Sequence, residues 1–362
     1  MILASFGLFA GIHADDKKME GHIPKDCSSL CADRPGFDCD KEFDISAAAI
    51  YEQIRIQGGE VAFVTQSNTQ ALFPVNGAGV EQIEEFAWGF KVGAGYSGWN
   101  DSWRTSVKYT NFRVVSNSDN QIAYGSAYVP SIYANSFVSD QSSDTYTSFQ
   151  NLQIGNNTTI NNLVFSLGRP SIVANRVAVD TYYSIMASFL IRRQLQVYTN
   201  DVAVGGTALT SATQSYSAAN GGFYQNYQKY TWWGVGPCFG MKGDYYVGKG
   251  ISFYGDVIGG LEYGSSQSRT STLSSPKTVG PGQEALTLNQ LYQFAPAMNL
   301  ELGLNWRYVF DEDQVRVSFQ LAYESSYYFM VMRTVINNIV TRTDNGAGLG
   351  LQGVVLQGML EF

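Results

Sequence analysis

Apolar residues recur at every second position over long stretches of this chain. In the segment 299–310, NLELGLNWRYVF, one parity holds Leu300, Leu302, Leu304, Trp306, Tyr308 and Phe310, and the other holds Glu301, Asn305 and Arg307. Such alternation predicts a β-strand with one apolar and one polar face. Strands of soluble proteins usually run about 5–6 residues, whereas a tilted strand that crosses a bilayer needs about 9–11. The length favours a membrane-spanning strand over a half-buried strand of a soluble sandwich.

The same alternation predicts about ten strands along the chain. They cover 45–66, 85–96, 102–114, 159–168, 181–198, 229–247, 250–265, 288–310, 313–327 and 348–362. The first and the eighth of these are long enough to bend or break, the eighth at Pro296. A further hairpin in 121–138 would raise the count to twelve, and the range extends to about fourteen.

The connections between these segments alternate in length. Short ones fall at 97–101, 248–250 and 310–313, with 169–180 of middling length, and long polar ones fall at 67–84, 115–159, 199–228, 266–287 and 328–347. Short turns on one rim and long loops on the other are typical of outer-membrane barrels, with the short turns in the periplasm. The pattern therefore predicts an all-β fold, a transmembrane antiparallel β-barrel of about 10–12 strands.

Composition agrees with this fold class. The chain has 362 residues, of which 14% are aromatic and only 15% charged, and its mean hydropathy is −0.12. No segment approaches the roughly 18 apolar residues of a membrane-spanning helix, but the apolar residues of a barrel are diluted by those that face its lumen. The formal net charge of −8 and the lack of a basic patch argue against a nucleic-acid partner.

The N-terminal region differs from the rest. Residues 1–14 contain a short apolar core that ends in a small residue, which predicts an export signal, and 15–44 form a polar segment before a barrel at 45–362. Cys27, Cys31 and Cys39 lie in the polar segment, and Cys238 on the polar parity of a later strand. Export favours disulfides among these four or to neighbouring envelope proteins. A zinc site that includes His22 is the alternative, although the spacing fits no common finger.

Catalytic and cofactor signals are weak. The two histidines, His13 and His22, precede the barrel, so a Ser–His pair within it is excluded. The glycine-rich stretches 234–240 and 346–350 match no phosphate-binding loop and fit the crowded inner face of a strand. Asp311, Glu312 and Asp313 fit a solvated turn better than a cation site. We expect no enzyme activity, no cofactor and no metal.

Four blocks of the chain carry a resemblance to a known family. They are 88–112, 232–255, 300–329 and 349–362, beginning WGFKVGAGY, WWGVGPCFG, LELGLNWRYVF and LGLQGVVLQ. In this order they resemble the major outer membrane protein family of Legionella and chlamydia-like bacteria. The resemblance implies an outer-membrane β-barrel, abundant at the cell surface, with a porin-like or surface-structural role. The segment 184–198 and the cysteine-bearing segment 27–39 depart from the family pattern.

Strand parity assigns the candidate site residues. Charged residues expected to face a wet lumen are Lys91, Arg104, Lys108, Arg192, Lys242, Asp244, Asp256, Glu262, Glu301, Arg307, Arg316 and Glu324. Aromatic residues expected at the membrane interfaces are Trp88, Tyr96, Trp103, Trp306, Tyr308 and Phe310. Phe362 closes an amphipathic strand, which resembles the terminal signal read by the outer-membrane assembly machinery.

Three functions remain open from the sequence. The first is a channel for passive diffusion of small hydrophilic solutes and ions through a lumen with both signs of charge. The second is a structural surface protein or adhesin that acts through its long loops, with a narrow lumen plugged by ion pairs. A carrier of hydrophobic solutes is the third and weaker option, since it would need an apolar lumen that the inner parity does not provide. Outer-membrane lipid, the assembly machinery, copies of the same chain and disulfide-linked envelope proteins are the expected partners.

Overall fold

The computed structural model describes residues 43–56, 60–65, 78–81, 85–99, 103–121, 127–130, 151–174, 176–199, 223–275, 283–310, 315–337 and 342–362. These residues form thirteen strands: β1 Phe43–Ile56, β2 Glu60–Thr65, β3 Ala78–Glu81, β4 Ala87–Trp99, β5 Trp103–Gln121, β6 Ala127–Pro130, β7 Asn151–Ala174, β8 Val177–Thr199, β9 Phe223–Gly248, β10 Ile251–Ser275, β11 Gln283–Phe310, β12 Val315–Asn337 and β13 Arg342–Glu361. In this part of the chain there is no helix long and apolar enough to cross a membrane.

Ten of these strands close into an antiparallel barrel, which confirms the predicted fold class. The order around the barrel is β1-β13-β12-β11-β10-β9-β8-β7-β5-β4, and β4 pairs back to β1. Phe43 and Phe362 meet at the β1–β13 seam, where each backbone N–H donates to the carbonyl oxygen of the other, at 3.1 and 3.0 Å. Closure leaves no barrel strand with an unpaired edge.

The three remaining strands form a separate small sheet in the order β3-β2-β6. The predicted long strand 45–66 is thus interrupted, because its first part lies in the barrel and its second part in this sheet. Residues 127–130 of the expected extra hairpin also pair here, so they add no strands to the barrel.

The other long segment, 288–310, is continuous. Pro296 pairs with Leu261 of β10, whereas the pairing of β11 with β12 begins only at Ala297. The proline therefore lies beyond the end of the β12 ladder, where its missing N–H breaks no hydrogen bond to that strand.

Several strands extend well into segments predicted as long loops. β7 begins at Asn151, β9 at Phe223 and β11 at Gln283, and β10 and β12 run on to Ser275 and Asn337. These extensions are rich in Ser, Thr, Asn and Gln, and lie at the end of the barrel away from the short turns. Their alternation is weak because polar residues occupy both faces, so the sequence was interpreted as loop.

The outer surface of the barrel is an apolar belt. Leu302, Phe319 and Leu356 are 55%, 54% and 51% exposed, as expected for side chains that face acyl chains. Near the short-turn end the rings of Trp306, Tyr308 and Phe310 follow one another, with Tyr308 and Phe310 centroids 4.6 Å apart.

A second aromatic group lies at the opposite end of β1 and β4. The rings of Tyr51 and Trp88 have centroids 4.8 Å apart, and Phe86 stacks on Tyr51 at 5.3 Å. Trp88 thus belongs to the loop-side border, whereas Tyr96 and Trp103 lie beside the short turn that joins β4 to β5. Two aromatic borders, one toward each end of the strands, are typical of a barrel that spans a membrane.

Candidate functional site

The interior of the barrel contains a cavity of about 210 Å³. Its wall includes Asp44 and Arg104 near the short-turn end, and Phe112 and Ile160 farther along their strands. Between these limits the wall carries the remaining charged groups, Glu52, Lys91, Lys108, Asp180, Lys242, Asp256, Glu301 and Glu324. The charged groups of the cavity thus lie in the half of the lumen nearer the short turns.

Lys91 is the centre of a buried ionic cluster. Its ammonium donates a hydrogen bond to Glu324 of β12 and lies 3.7 Å from Glu301 of β11, with all three side chains at most 8% exposed. Asn299 donates to Glu324 at 2.5 Å, and the Tyr254 hydroxyl donates to Glu301 at 2.5 Å. The cluster ties β4 to the far side of the barrel, because β1 and β13 separate β4 from β12.

Glu301 and Asn305 lie on the inner face with little exposed surface. They are only 6% and 2% exposed, because a ten-stranded barrel is narrow enough for its inner side chains to fill much of the space.

Two further ion pairs lie near the short-turn end. Arg104 of β5 donates to Asp44 of β1 at 2.8 Å, and Arg307 of β11 donates to Glu361 of β13 at 3.2 Å. In each pair a single strand lies between the partners, β4 in the first and β12 in the second. These contacts therefore run along the inner wall at the short-turn end.

A row of charges crosses adjacent strands on the inner face. Lys242 of β9 is the Cα partner of Asp180 on β8 and of Asp256 on β10, and Asp256 is in turn the partner of Glu301 on β11. Lys242 forms no ion pair with Asp180 or Asp256. Its ammonium lies over the Tyr254 ring, 5.3 Å from the centroid. Asp256 accepts a hydrogen bond from the Tyr182 hydroxyl at 2.5 Å. Lys108 of β5 acts electrostatically on Asp256 and Glu301 from across the cavity.

An apolar layer, Ile50, Phe112, Ile160 and Leu351, lies on the inner face and borders the charged cavity. These side chains are at most 5% exposed and belong to one buried cluster that also includes Leu190, Trp232 and Tyr328. Parity reasoning assigned large apolar residues to the lipid side. The inner face therefore carries an apolar section, whereas the sequence predicted that the inner parity provides no apolar lumen.

The small sheet closes against the loop-side end of the barrel. Val61 and Ala62 of β2 are 1% and 0% exposed and pack on Leu152, Ile154 and Tyr198, which are inner-face residues of β7 and β8. The Tyr198 hydroxyl donates to the Val61 carbonyl oxygen at 2.6 Å.

The remaining predicted lumen residues also lie on the inner parity, in other surroundings. Arg192 is buried and donates to Asn156 at 3.2 Å, and Glu262, at 0% exposure, accepts from Ser188 at 2.6 Å. Both belong to the loop-side half, away from the charged cavity. Arg316 is buried beside the last strand, and Asp244 is half-buried near the turn into β10.

Of the four cysteines in the predicted disulfides, the structure describes only Cys238. Cys238 has a free thiol on the inner face, with its sulfur 3.9 Å from the Gly236 carbonyl oxygen. Cys27, Cys31, Cys39, His22 and the predicted export signal lie outside the described residues, as do Asp311, Glu312 and Asp313. Across the described ranges no group of three His, Cys, Asp or Glu side chains is arranged to hold a metal ion.

Sequence reasoning omitted three residues of the charged cavity: Asp44, Glu52 and Asp180. Glu52 shares its parity with Asp44 and Ser46 on β1, so alternation could have placed it inside. Asp44 and Asp180 had been assigned to the polar N-terminal segment and to a turn, and only the observed strand ends bring them into the barrel.

Comparison with solved structures returns matches of low sequence identity and low TM-score. The outer membrane protease OmpT from Escherichia coli is 12% identical, with 89% of this chain and 95% of that chain covered and a TM-score of 0.37. A FadL homologue from Pseudomonas aeruginosa is 9% identical, with 89% and 90% covered and a TM-score of 0.23. The toluene transporter TodX from Pseudomonas putida is 8% identical, with 92% and 93% covered and a TM-score of 0.22.

No curated protein matches the chain. The family described as Legionella pneumophila major outer membrane protein precursor matches residues 38–362, which include all ten barrel strands. The match and the closed barrel place the protein in the outer membrane as an integral component. The chain belongs to the Legionella major outer membrane protein family.

Proposed function

We propose that this protein is a narrow outer-membrane channel for small hydrophilic solutes and ions. The observation that carries the proposal is the charged cavity inside the barrel, in which Lys108 and Lys242 have no direct carboxylate contact among the described side chains. Charged groups are costly in a dry interior without a close partner. A lumen that served only as filling would be more stable with apolar side chains, so the retained charges support a hydrated path.

The apolar layer sets the size of this channel. Hydrophobic constrictions restrict the passage of water and ions by dewetting, and the layer of Ile50, Phe112, Ile160 and Leu351 borders the cavity. We therefore expect a small conductance. The proposal assigns no catalytic role to the barrel, whose strands contain no histidine.

A structural surface protein with a closed lumen is the second candidate. The same apolar layer favours it, together with the packing of Val61 and Ala62 at the loop-side end. Under this alternative, deleting 131–150, between the small sheet and β7, would abolish partner binding while the barrel still assembles.

Efflux from liposomes separates the two candidates. Liposomes that contain the refolded protein and an entrapped monosaccharide should release it faster than protein-free liposomes, while an entrapped trisaccharide stays inside. Release of neither sugar would support the structural role and overturn the channel. Release of both at equal rates would contradict the narrow lumen.

A further inference from the structure

The charges that line the cavity are unevenly neutralised. Lys91 forms ion pairs with Glu324 and Glu301, and Arg104 forms one with Asp44. Asp256 has no cation within ion-pair distance among the described residues, because the ammonium of its β9 neighbour Lys242 lies over the Tyr254 ring. Its neighbour on β11 is the like-charged Glu301. Like charges directly opposite each other on neighbouring strands are destabilising, so Asp256 is a point where a bound positive group would be favourable.

Lys108 is the matching positive point. It lies on β5, on the other side of the cavity from β10, and it interacts electrostatically with Asp256 without forming an ion pair. A simple cation bound at Asp256 would be repelled by Lys108. A simple anion bound at Lys108 would be repelled by Asp256 and Glu301. A solute that carries both charges avoids both penalties.

The rest of the cavity limits the size and character of such a solute. Pockets for drug-sized ligands have volumes of about 300–1,000 Å³, so a cavity of about 210 Å³ admits only a small molecule. Val164, Met186 and Ile258 line the wall beside the charges and supply a surface for an aliphatic group.

We propose that the cavity binds a small zwitterion of the α-amino-acid class, with its ammonium at Asp256 and its carboxylate at Lys108. Lys242 is the registered neighbour of Asp256 on β9, and Asp180 lies next to Lys242 on β8, so a second cation and a second carboxylate lie beside the proposed ammonium site. The inference deepens the proposed function, on which it rests for the passage of small hydrophilic solutes through the lumen. It assigns the channel a preferred substrate class and an internal binding step.

Calorimetric titration of the refolded protein in detergent tests this assignment without measuring flux. The probes are L-leucine, 4-methylpentanoate and 3-methylbutylamine, which share the carbon skeleton and differ in the charged groups they retain. We expect leucine to bind at least tenfold more tightly than either analogue. Equal binding of the three, or no binding of leucine, would overturn the proposal even if the barrel conducts.

Two variants test whether Lys108 binds the carboxylate of leucine and Asp256 its ammonium. In Lys108→Met leucine should bind no better than 3-methylbutylamine, and in Asp256→Asn no better than 4-methylpentanoate. Lys249→Gln, in the exposed turn between β9 and β10, is the matched control and should bind leucine as the unmodified protein does. Undiminished leucine binding in folded Lys108→Met would overturn the assignment. If a variant fails to fold, the comparison of the three probes on the wild-type protein still tests the proposal. A barrel that binds leucine but passes no solute would contradict only the proposed channel function.

Discussion

Lys91 donates a hydrogen bond to Glu324, a residue 233 positions away in the sequence, and the two side chains are 8% and 6% exposed. The contact joins β4 to β12 across the lumen, and Glu301 shares the same ammonium. One lysine therefore holds carboxylates from two strands that lie next to each other in the barrel. The arrangement makes Lys91 the main electrostatic link between the two sides of the lumen.

Lys91→Met should destabilise the barrel by about 3–5 kcal/mol, because it leaves buried carboxylates without their cation. Urea titration of the protein refolded in detergent micelles measures the change. The triple variant Lys91→Met, Glu301→Gln, Glu324→Gln should recover most of the loss, because it removes the uncompensated charges. If the single variant is as stable as the wild type, the cluster does not hold the lumen together.

Leu302→Arg should destabilise the folded barrel in a bilayer by about 2–4 kcal/mol, the cost of a guanidinium near the midplane. Leu302 is 55% exposed on the outer surface, so Leu302→Phe is the matched control and should fold normally. Folding yield in lipid vesicles, read from heat-modifiable gel mobility, checks both variants. Equal yields for the two would contradict the assignment of this face to lipid.

Gly236→Ala should impair assembly, whereas Gly243→Ala on the same strand should not. A Cβ at Gly236 would lie 2.0 Å from the Leu261 carbonyl oxygen, but a Cβ at Gly243 would meet nothing within 4 Å. Overpacking of this kind typically costs about 1–3 kcal/mol. The urea concentration at the unfolding midpoint, measured for both variants, checks this difference. Equal midpoints for Gly236→Ala and Gly243→Ala would show that β9 and β10 are less closely paired than described.

Tyr198→Phe should loosen the small sheet without weakening the barrel. The change removes the hydrogen bond to the Val61 carbonyl oxygen, with an expected local cost of about 0.5–1.5 kcal/mol. Hydrogen exchange should accelerate at residues 60–65 and stay unchanged at 43–56. Unaltered exchange at 60–65 would mean that the hydroxyl does not hold β2 against the barrel.

The fold could be predicted from the sequence because alternation is a local property. The inner parity of β4, β5 and β12 follows from the polar residues Lys91, Lys108 and Glu324 and their apolar neighbours. The contact between Lys91 and Glu324 could not be predicted, because it depends on the order and register of strands that are far apart in the chain.

The apolar layer shows where the parity argument stopped too early. Phe112 shares its parity with Arg104 and Lys108, and Ile50 shares its parity with Asp44 and Glu52. Both could have been assigned to the lumen by the rule that placed the charges there. The rule that large apolar side chains face lipid was applied instead, and it fails where the inner side chains fill a narrow barrel.

The channel and its constriction are tested most directly by single-channel recordings in planar bilayers. The wild type should show small, discrete conductance steps, and Phe112→Ala combined with Ile160→Ala should enlarge them severalfold, because both side chains belong to the buried apolar layer that borders the cavity. Leu304→Ala, on the lipid-facing side, should leave the steps unchanged. A silent wild type, or a double variant with wild-type conductance, would contradict the account.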